Sequence, residues 1–468
     1  MTSTHPETQS LAQAISADAQ RDASVAPGQF LAPPQSILDE IGDALGAAEV
    51  GEPAWLAARR RDAGDRFAAT GFPTPKHEDW HYTSTAPIAE AAFPTLLDAS
   101  ATITAEELAP FAFGGDAAWP TAVFVNGRFD AARSSLGNLP DGVRVLPLAE
   151  ALDAEPDLLE RHLARVATTA DQPFAALNTA LFVDGVAILV GTEMEAEVPV
   201  HVLWVSDANV ARGATHPRTL VVAERHSKLT VLESYVGLGD ASYFTNAVTE
   251  ASLADGATVT HVRVQRESTR AFHLGHVEAR QGRDSHWVSF SFAGGARLSR
   301  TNIFTALDGE GCGATLNGLY MLDGEQHSDQ QTRIEHAQPN TYSRELYKGI
   351  LDGTSHGVFN GKVYVHPAAQ KTDGKQTNNT LLLSEQARVD TKPQLEIFAD
   401  DVKCTHGATV GRLDEAALFY MKSRGISAET SRRLLTYAFA ADVLETIEIP
   451  AVRDALEALT LQRYAGGA

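Results

Sequence analysis

Val288-Ser289-Phe290-Ser291-Phe292 decides the fold class of this chain. Apolar and polar side chains alternate with period two, as in a strand with one face against apolar neighbours. Nearby, Val262 and Val264 alternate with His261, Arg263 and Gln265 in the same way. From about Val198 to Val410 no helical pattern of useful length interrupts the alternation. Strand-like segments begin near Tyr243, Ala257, Ala271, Ser285, Ser299, Cys312, Gln326, Thr341 and Ser355. The recurrence is roughly 14 residues, a strand plus a turn, and two such units make one coil of a solenoid. Even spacing without helices predicts stacked strands in a parallel β-helix, with a sandwich or barrel as the alternative. Polar runs such as Thr377-Asn378-Asn379-Thr380, ahead of Leu381-Leu382-Leu383, suit side-chain ladders within such a stack.

On either side the pattern changes. The first 25 or so residues have too little hydrophobicity to offset the entropy of ordering, which predicts a disordered tail. Helical spacing then runs from Ile37 to Ala48, and again from Pro53 through Trp55, Ala58, Ala63 and Phe67 to a stop at Gly71. Val123 to Phe129 reads as a hairpin with Asn126-Gly127 at its turn. Leu158, Leu159, His162, Leu163 and Val166 share one helical face. Beyond Gly411, Asp414 and Ser427 are placed to cap two helices. The second carries an apolar stripe of Leu434, Leu435, Ala438, Phe439 and Leu444, and a last helix follows Pro450. Such helices are expected to close the open end of the stack and to offer a docking surface. The expected division is a tail (1–30), a helical and mixed domain (31–190), the β-helix core (191–411) and a helical domain (412–468).

The chain has 468 residues and a net charge of −22, which opposes binding to nucleic acid or an anionic membrane. No apolar run approaches the roughly 20 residues of a membrane span, and no signal peptide is recognisable. Cys312 and Cys404 are the only cysteines. Two thiols exclude a disulfide framework, fit a reducing cytoplasm, and are too few for a self-sufficient four-cysteine cluster.

The chemistry concentrates between Glu396 and His406, where Glu396, Asp400, Asp401, Cys404 and His406 fall within eleven residues. These are ligand types for soft or borderline metals. On a strand Cys404 and His406 share a face, which supplies two ligands and leaves the site open or completed by another chain. The common fate of such residues is plainer: a free cysteine is usually a small buried hydrophobe. Other short matches are weaker. Gly353-Thr354-Ser355-His356-Gly357 fits a nucleophile elbow in letters, but strand-like sequence follows where a helix is needed. Gly361-Lys362 and Gly374-Lys375 lack the phosphate-loop frame. His327, Asp329 and His336 have no recognised ligand spacing and read as polar residues on the outside of a strand stack.

Longer motifs carry a resemblance. Arg300-Thr301-Asn302, Gly318-Leu319-Tyr320, His327-Ser328-Asp329, Ser343-Arg344-Glu345-Leu346-Tyr347-Lys348-Gly349, Phe359-Asn360-Gly361-Lys362-Val363 and the run Lys392 to Gly411 follow in order. Together with the segment Lys76-His77-Glu78-Asp79-Trp80-His81-Tyr82-Thr83 they resemble the SufD family of the SUF iron–sulfur cluster assembly machinery. The resemblance implies a right-handed parallel β-helix between an N-terminal mixed domain and C-terminal helices. It implies a non-catalytic scaffold subunit in a complex with a SufB-like paralogue and a SufC-like ATPase, the ATPase docking on the C-terminal helices. It links Cys404 and His406 to iron or a nascent cluster held transiently at the paralogue interface, with no stably bound cofactor. Glu396, Asp400 and Asp401 would then be hard donors for incoming iron or partners orienting His406. A homodimer through the β-helix stays open as the resting state. The rival reading is a β-helix enzyme that cleaves polysaccharide through a carboxylate pair.

Overall fold

The computed structural model describes residues 28–97, 103–113, 119–137, 139–207 and 213–463. Nearly all of the expected tail lies outside these residues. The strands, in order, are β1 (Phe30–Leu31), β2 (Phe72–Pro73), β3 (Thr121–Val125), β4 (Arg128–Phe129), β5 (Val143–Pro147), β6 (Val186–Val190), β7 (Val200–Asp207), β8 (Ala214–Thr215), β9 (Arg218–Ala223), β10 (Lys228–Leu238) and β11 (Phe244–Leu253). They continue as β12 (Thr258–Arg266), β13 (Phe272–Gln281), β14 (His286–Ala293), β15 (Leu298–Leu307), β16 (Gly313–Leu322), β17 (His327–His336), β18 (Tyr342–Leu351), β19 (His356–Val365), β20 (Asp373–Leu382), β21 (Arg388–Ile397) and β22 (Lys403–Gly411). The starts expected from the sequence fall within about one residue of those observed.

From β9 onward each long strand pairs in parallel with the strand two ahead, so the chain coils as a two-sheet β-solenoid. One sheet has the order β22-β20-β18-β16-β14-β12-β10-β7-β3-β4, the other β21-β19-β17-β15-β13-β11-β9-β6-β5. Turns between strands use left-handed residues, among them Gly256 (φ 69°) and Asn340 (φ 60°). Those conformations are cheapest for glycine and asparagine. The Asn126-Gly127 hairpin forms as expected, with φ of 50° and 82°.

Alternation specifies a strand but not which face points inward. Trp287, Ser289 and Ser291 face the lumen, and so do His261, Arg263 and Gln265 in register beside them. Val262, Val264, Phe290 and Phe292 instead join the outer apolar layer with Leu319, Met321 and Ile350. That layer needs cover, and the C-terminal helices supply it. Ala440, Val443 and Leu444 of helix Ala428–Leu444, and Val452 and Leu456 of helix Pro450–Arg463, pack on it. The helices thus lie along the side of the solenoid, against β16 and β18, and do not close its end. The expected stripe is corrected too: Leu434 and Ala438 are exposed, while Ser431, Thr436, Ala440, Val443 and Leu444 are buried. Small residues at that face let the helix approach the sheet closely. The helix caps stand as expected: Asp414 Oδ1 accepts from Ala416 N at 2.8 Å and Ser427 Oγ from Thr430 N at 3.1 Å.

The solenoid and these helices belong to a compact unit of Phe93–Ala167 and Leu181 onward. A second unit holds residues up to Ala92 with Thr168–Ala180. In it helices Gln35–Gly51 and Ala54–Thr70 pack together, and Phe72, Trp80 and Phe174 form an aromatic cluster with centroids 5.4 to 5.7 Å apart about Phe174. Among the described residues no helix is long and apolar enough to cross a membrane.

Candidate functional site

The last coil carries the expected residues. Among the described residues β22 hydrogen-bonds to β20 alone and forms the edge of its sheet. Its register places Cys404 beside Gly374 and His406 beside Gln376. Gln376 pairs in turn with Glu345, a lumen residue. Side chains in register on parallel strands share a face, so Cys404 and His406 stand on the lumenal face of the final coil. The shared face was legible from their spacing. The two positions are about 7 Å apart along the strand.

Cys404 is half-buried against Val363, Val365, Leu395 and Val402. Burial pushes its thiol above the ordinary value, the Gly374 backbone pulls it down, and the Asp373 charge adds to the rise. The thiol therefore stays protonated at neutral pH until something displaces the proton. His406 is exposed because no further coil lies over it among the described residues.

The carboxylates fall elsewhere. Glu396 follows Leu395, which packs inward, so its side chain is outside the solenoid; it pairs with Lys362 Nζ at 2.8 Å. Asp400 and Asp401 are exposed in the turn before β22, where the Asp401 N–H donates to Gln370 Oε1 at 2.9 Å. Among the described residues no three His, Cys, Asp or Glu side chains gather to hold a metal ion. One chain brings together a thiol and an imidazole, and the turn divides them from Glu396.

The other candidates have structural roles. Cys312 is buried, donates to the Gly309 carbonyl at 2.8 Å, and burial pushes its thiol up to about 11. The Nδ1 atoms of His327 and His356 share a hydrogen bond at 3.1 Å, His356 Nε2 bonds Asp390 at 2.7 Å, and Asp329 pairs with Arg300 at 2.6 Å. His336 is buried between the Thr341 and Ser343 hydroxyls. Ser355 sits in a turn, its Oγ donating to the Asp352 carbonyl, with a strand following. Two features escaped the sequence reading: the buried pair Glu345 and Gln376 behind His406, and the exposure of Phe419 (74%) and Tyr420 (59%) on helix Glu415–Ser423. The strand-to-strand interval of about 30 residues relates Glu345, Gln376 and His406, and could have revealed the first.

Fold and site define a class: a parallel β-solenoid flanked by helices, ending in an edge strand that shows a thiol and an imidazole. Residues 205–439 match the family model described as SUF system FeS cluster assembly, SufBD core domain, and residues 47–202 match the SufBD protein N-terminal region. The chain is 34% identical over 412 residues to the iron–sulfur cluster assembly protein SufD of Escherichia coli, covering 85% of this chain and 91% of that protein. It is 31% identical over 413 residues to an iron–sulfur cluster assembly SufBD family protein of Synechocystis, covering 86% and 90%. With SufD of Bacillus subtilis it shares 29% over 415 residues, covering 86% and 93%. The chain belongs to the SufBD family. Membership sets aside the polysaccharide-cleaving alternative.

Proposed function

We propose that this chain is a scaffold subunit for iron–sulfur cluster assembly, and that Cys404 and His406 hold iron or a nascent cluster jointly with a SufB-like paralogue. The carrying observation is the unpaired edge of β22, whose lumenal face bears both residues. Nine residues of open strand are a template for a further strand from another chain. Pairing there would bring the partner's donors over Cys404 and His406 and fill the coordination that two ligands leave open. Iron is cargo in this scheme. Its arrival displaces the Cys404 proton, since a metal-bound thiolate is far more acidic than a free thiol. The exposed Asp400 and Asp401 are hard oxygen donors at the approach, and Glu396 joins them only when its pair with Lys362 opens.

Residues 412–468 form the docking domain for a SufC-like ATPase in this reading. Support comes from Phe419, Tyr420 and Leu434, large apolar side chains exposed on helices whose other faces are buried. A homodimer through the β-helix is the resting alternative.

Co-expression with a SufB-like paralogue and a SufC-like ATPase tests the proposal. The His406→Ala and Cys404→Ser variants should assemble into the complex yet lower its iron and sulfide content at least several-fold. Parental iron and sulfide in both variants would refute the site.

A further inference from the structure

Behind His406 the lumen holds an unusual set of polar groups. Gln376 (1% exposed) donates through Nε2 to Glu345 Oε2 at 2.6 Å, and Glu345 is itself 4% exposed. The other amide atom, Gln376 Oε1, is buried and has no hydrogen-bond partner. A buried amide oxygen left without a donor is costly, so the vacant Oε1 implies one. Gln376 has two neighbours in register, Glu345 on β18 and His406 on β22. The carboxylate takes the N–H end of the amide, which leaves the oxygen end for the other neighbour. The amide has room only because residue 361 on the facing strand is glycine; a Cβ there would overlap Nε2.

We propose that Gln376, oriented by Glu345, is a positioning residue for His406: its carbonyl oxygen accepts one ring N–H and so presents the other ring nitrogen, unprotonated, at the mouth of the solenoid. A metal-binding histidine needs this arrangement, because the partner of the non-ligating nitrogen sets tautomer and ring orientation. Register, the vacant amide oxygen and the space at Gly361 each support it. The inference rests on the reading of His406 as a ligand, but it concerns the iron-free chain and can fail separately.

The test is the imidazole nitrogen spectrum of the full-length, iron-free chain at pH 8, labelled at histidine, with His406 assigned by its loss in His406→Gln. The parent should show one pyrrole-type and one pyridine-type nitrogen for His406. In Gln376→Leu and in Gly361→Ala both signals should move toward a tautomer-averaged position. In Glu345→Gln, which is isosteric and keeps the fold if the other two fail to, the amide loses its fixed direction and averaging should again appear. With the partners present, Gln376→Leu should lower co-purified iron by about tenfold or more. An averaged His406 in the parent would overturn the inference, because water would then satisfy Gln376. So would a fixed tautomer that survives every folded variant. Loss of iron in His406→Ala with an unchanged tautomer in Gln376→Leu removes this inference and leaves the functional proposal standing. Parental iron in His406→Ala with a Gln376-dependent tautomer does the reverse.

Discussion

Glu345→Gln should make the protein more stable at neutral pH and flatten the dependence of stability on pH. Burial pushes the Glu345 carboxyl up from 4.5 to about 7, and the Thr332 and Gln376 side chains only partly offset it. The groups facing it are Leu316 on β16, Gln376 on β20, Thr332 on β17 and, on its own strand, Tyr347, whose phenol is pushed up in turn. A carboxyl whose folded value is raised keeps its proton longer in the folded state than in the unfolded chain. Stability is therefore intact below the unfolded value and falls as pH rises from about 4.5 to 7. Two-state linkage gives a penalty of about 2 kcal/mol at pH 6 and about 3 kcal/mol at pH 8. Glutamine has the same shape and no charge to bury. The parent should thus lose about 1 kcal/mol between pH 6 and pH 8 that the variant does not, and the variant should exceed the parent by up to about 3 kcal/mol at pH 8. Urea unfolding of both proteins at pH 6 and pH 8 measures this; lower pH is unsuitable because the sequence pI is 5.1. Equal pH slopes, or a variant less stable than the parent at pH 8, would refute a buried carboxyl titrating near neutrality.

Two further outcomes follow from exposure and burial. A thiol reagent at pH 8 should modify only Cys404 in the folded chain, and slowly, because burial raises both thiols but seals only Cys312; mass mapping that finds Cys312 modified first would contradict this packing. Phe419→Glu should abolish co-purification with the ATPase while shifting the unfolding midpoint by no more than about 0.5 kcal/mol equivalent, since that side chain is 74% exposed; retained co-purification would move the docking surface elsewhere.

The coil was legible because period two and even spacing survive translation into structure almost unchanged: the segment expected near Ala257 begins at Thr258, and that near Ser285 at His286. What lay on each face was not legible. Phe290 and Phe292 look like the core of their strand, yet they face out, under helices about 150 residues later in the chain, while Ser289 and Ser291 face in. Alternation reports that two faces differ, and only tertiary packing decides which is covered by what. The stripe on helix Ala428–Leu444 misled similarly, because the buried face there is built from Ser431, Thr436 and Ala440 as well as Val443 and Leu444. At the site, the common face of Cys404 and His406 came from strand geometry alone. The exclusion of Glu396 needed the turn at Asp400, and the vacant oxygen of Gln376 needed the register of three strands.

The two ends of the solenoid are finished differently, and the difference bears on where another chain can add. At the start, one sheet stops in the two-residue antiparallel strand β4 and the other in antiparallel β5, which ends in Pro147. Short strands and prolines blunt an edge against further pairing. At the far end β21 contains Pro393, which has no N–H to offer a further strand. β22 has no proline over its nine residues, and among the described residues nothing pairs beyond it. A long unblunted edge is an aggregation hazard that natural proteins ordinarily remove. Its retention on the one strand that carries Cys404 and His406 favours a partner strand at that edge. A partner pairing with β22 would reach both side chains, while one approaching β21 would meet a proline and the Glu396–Lys362 pair on its outer side.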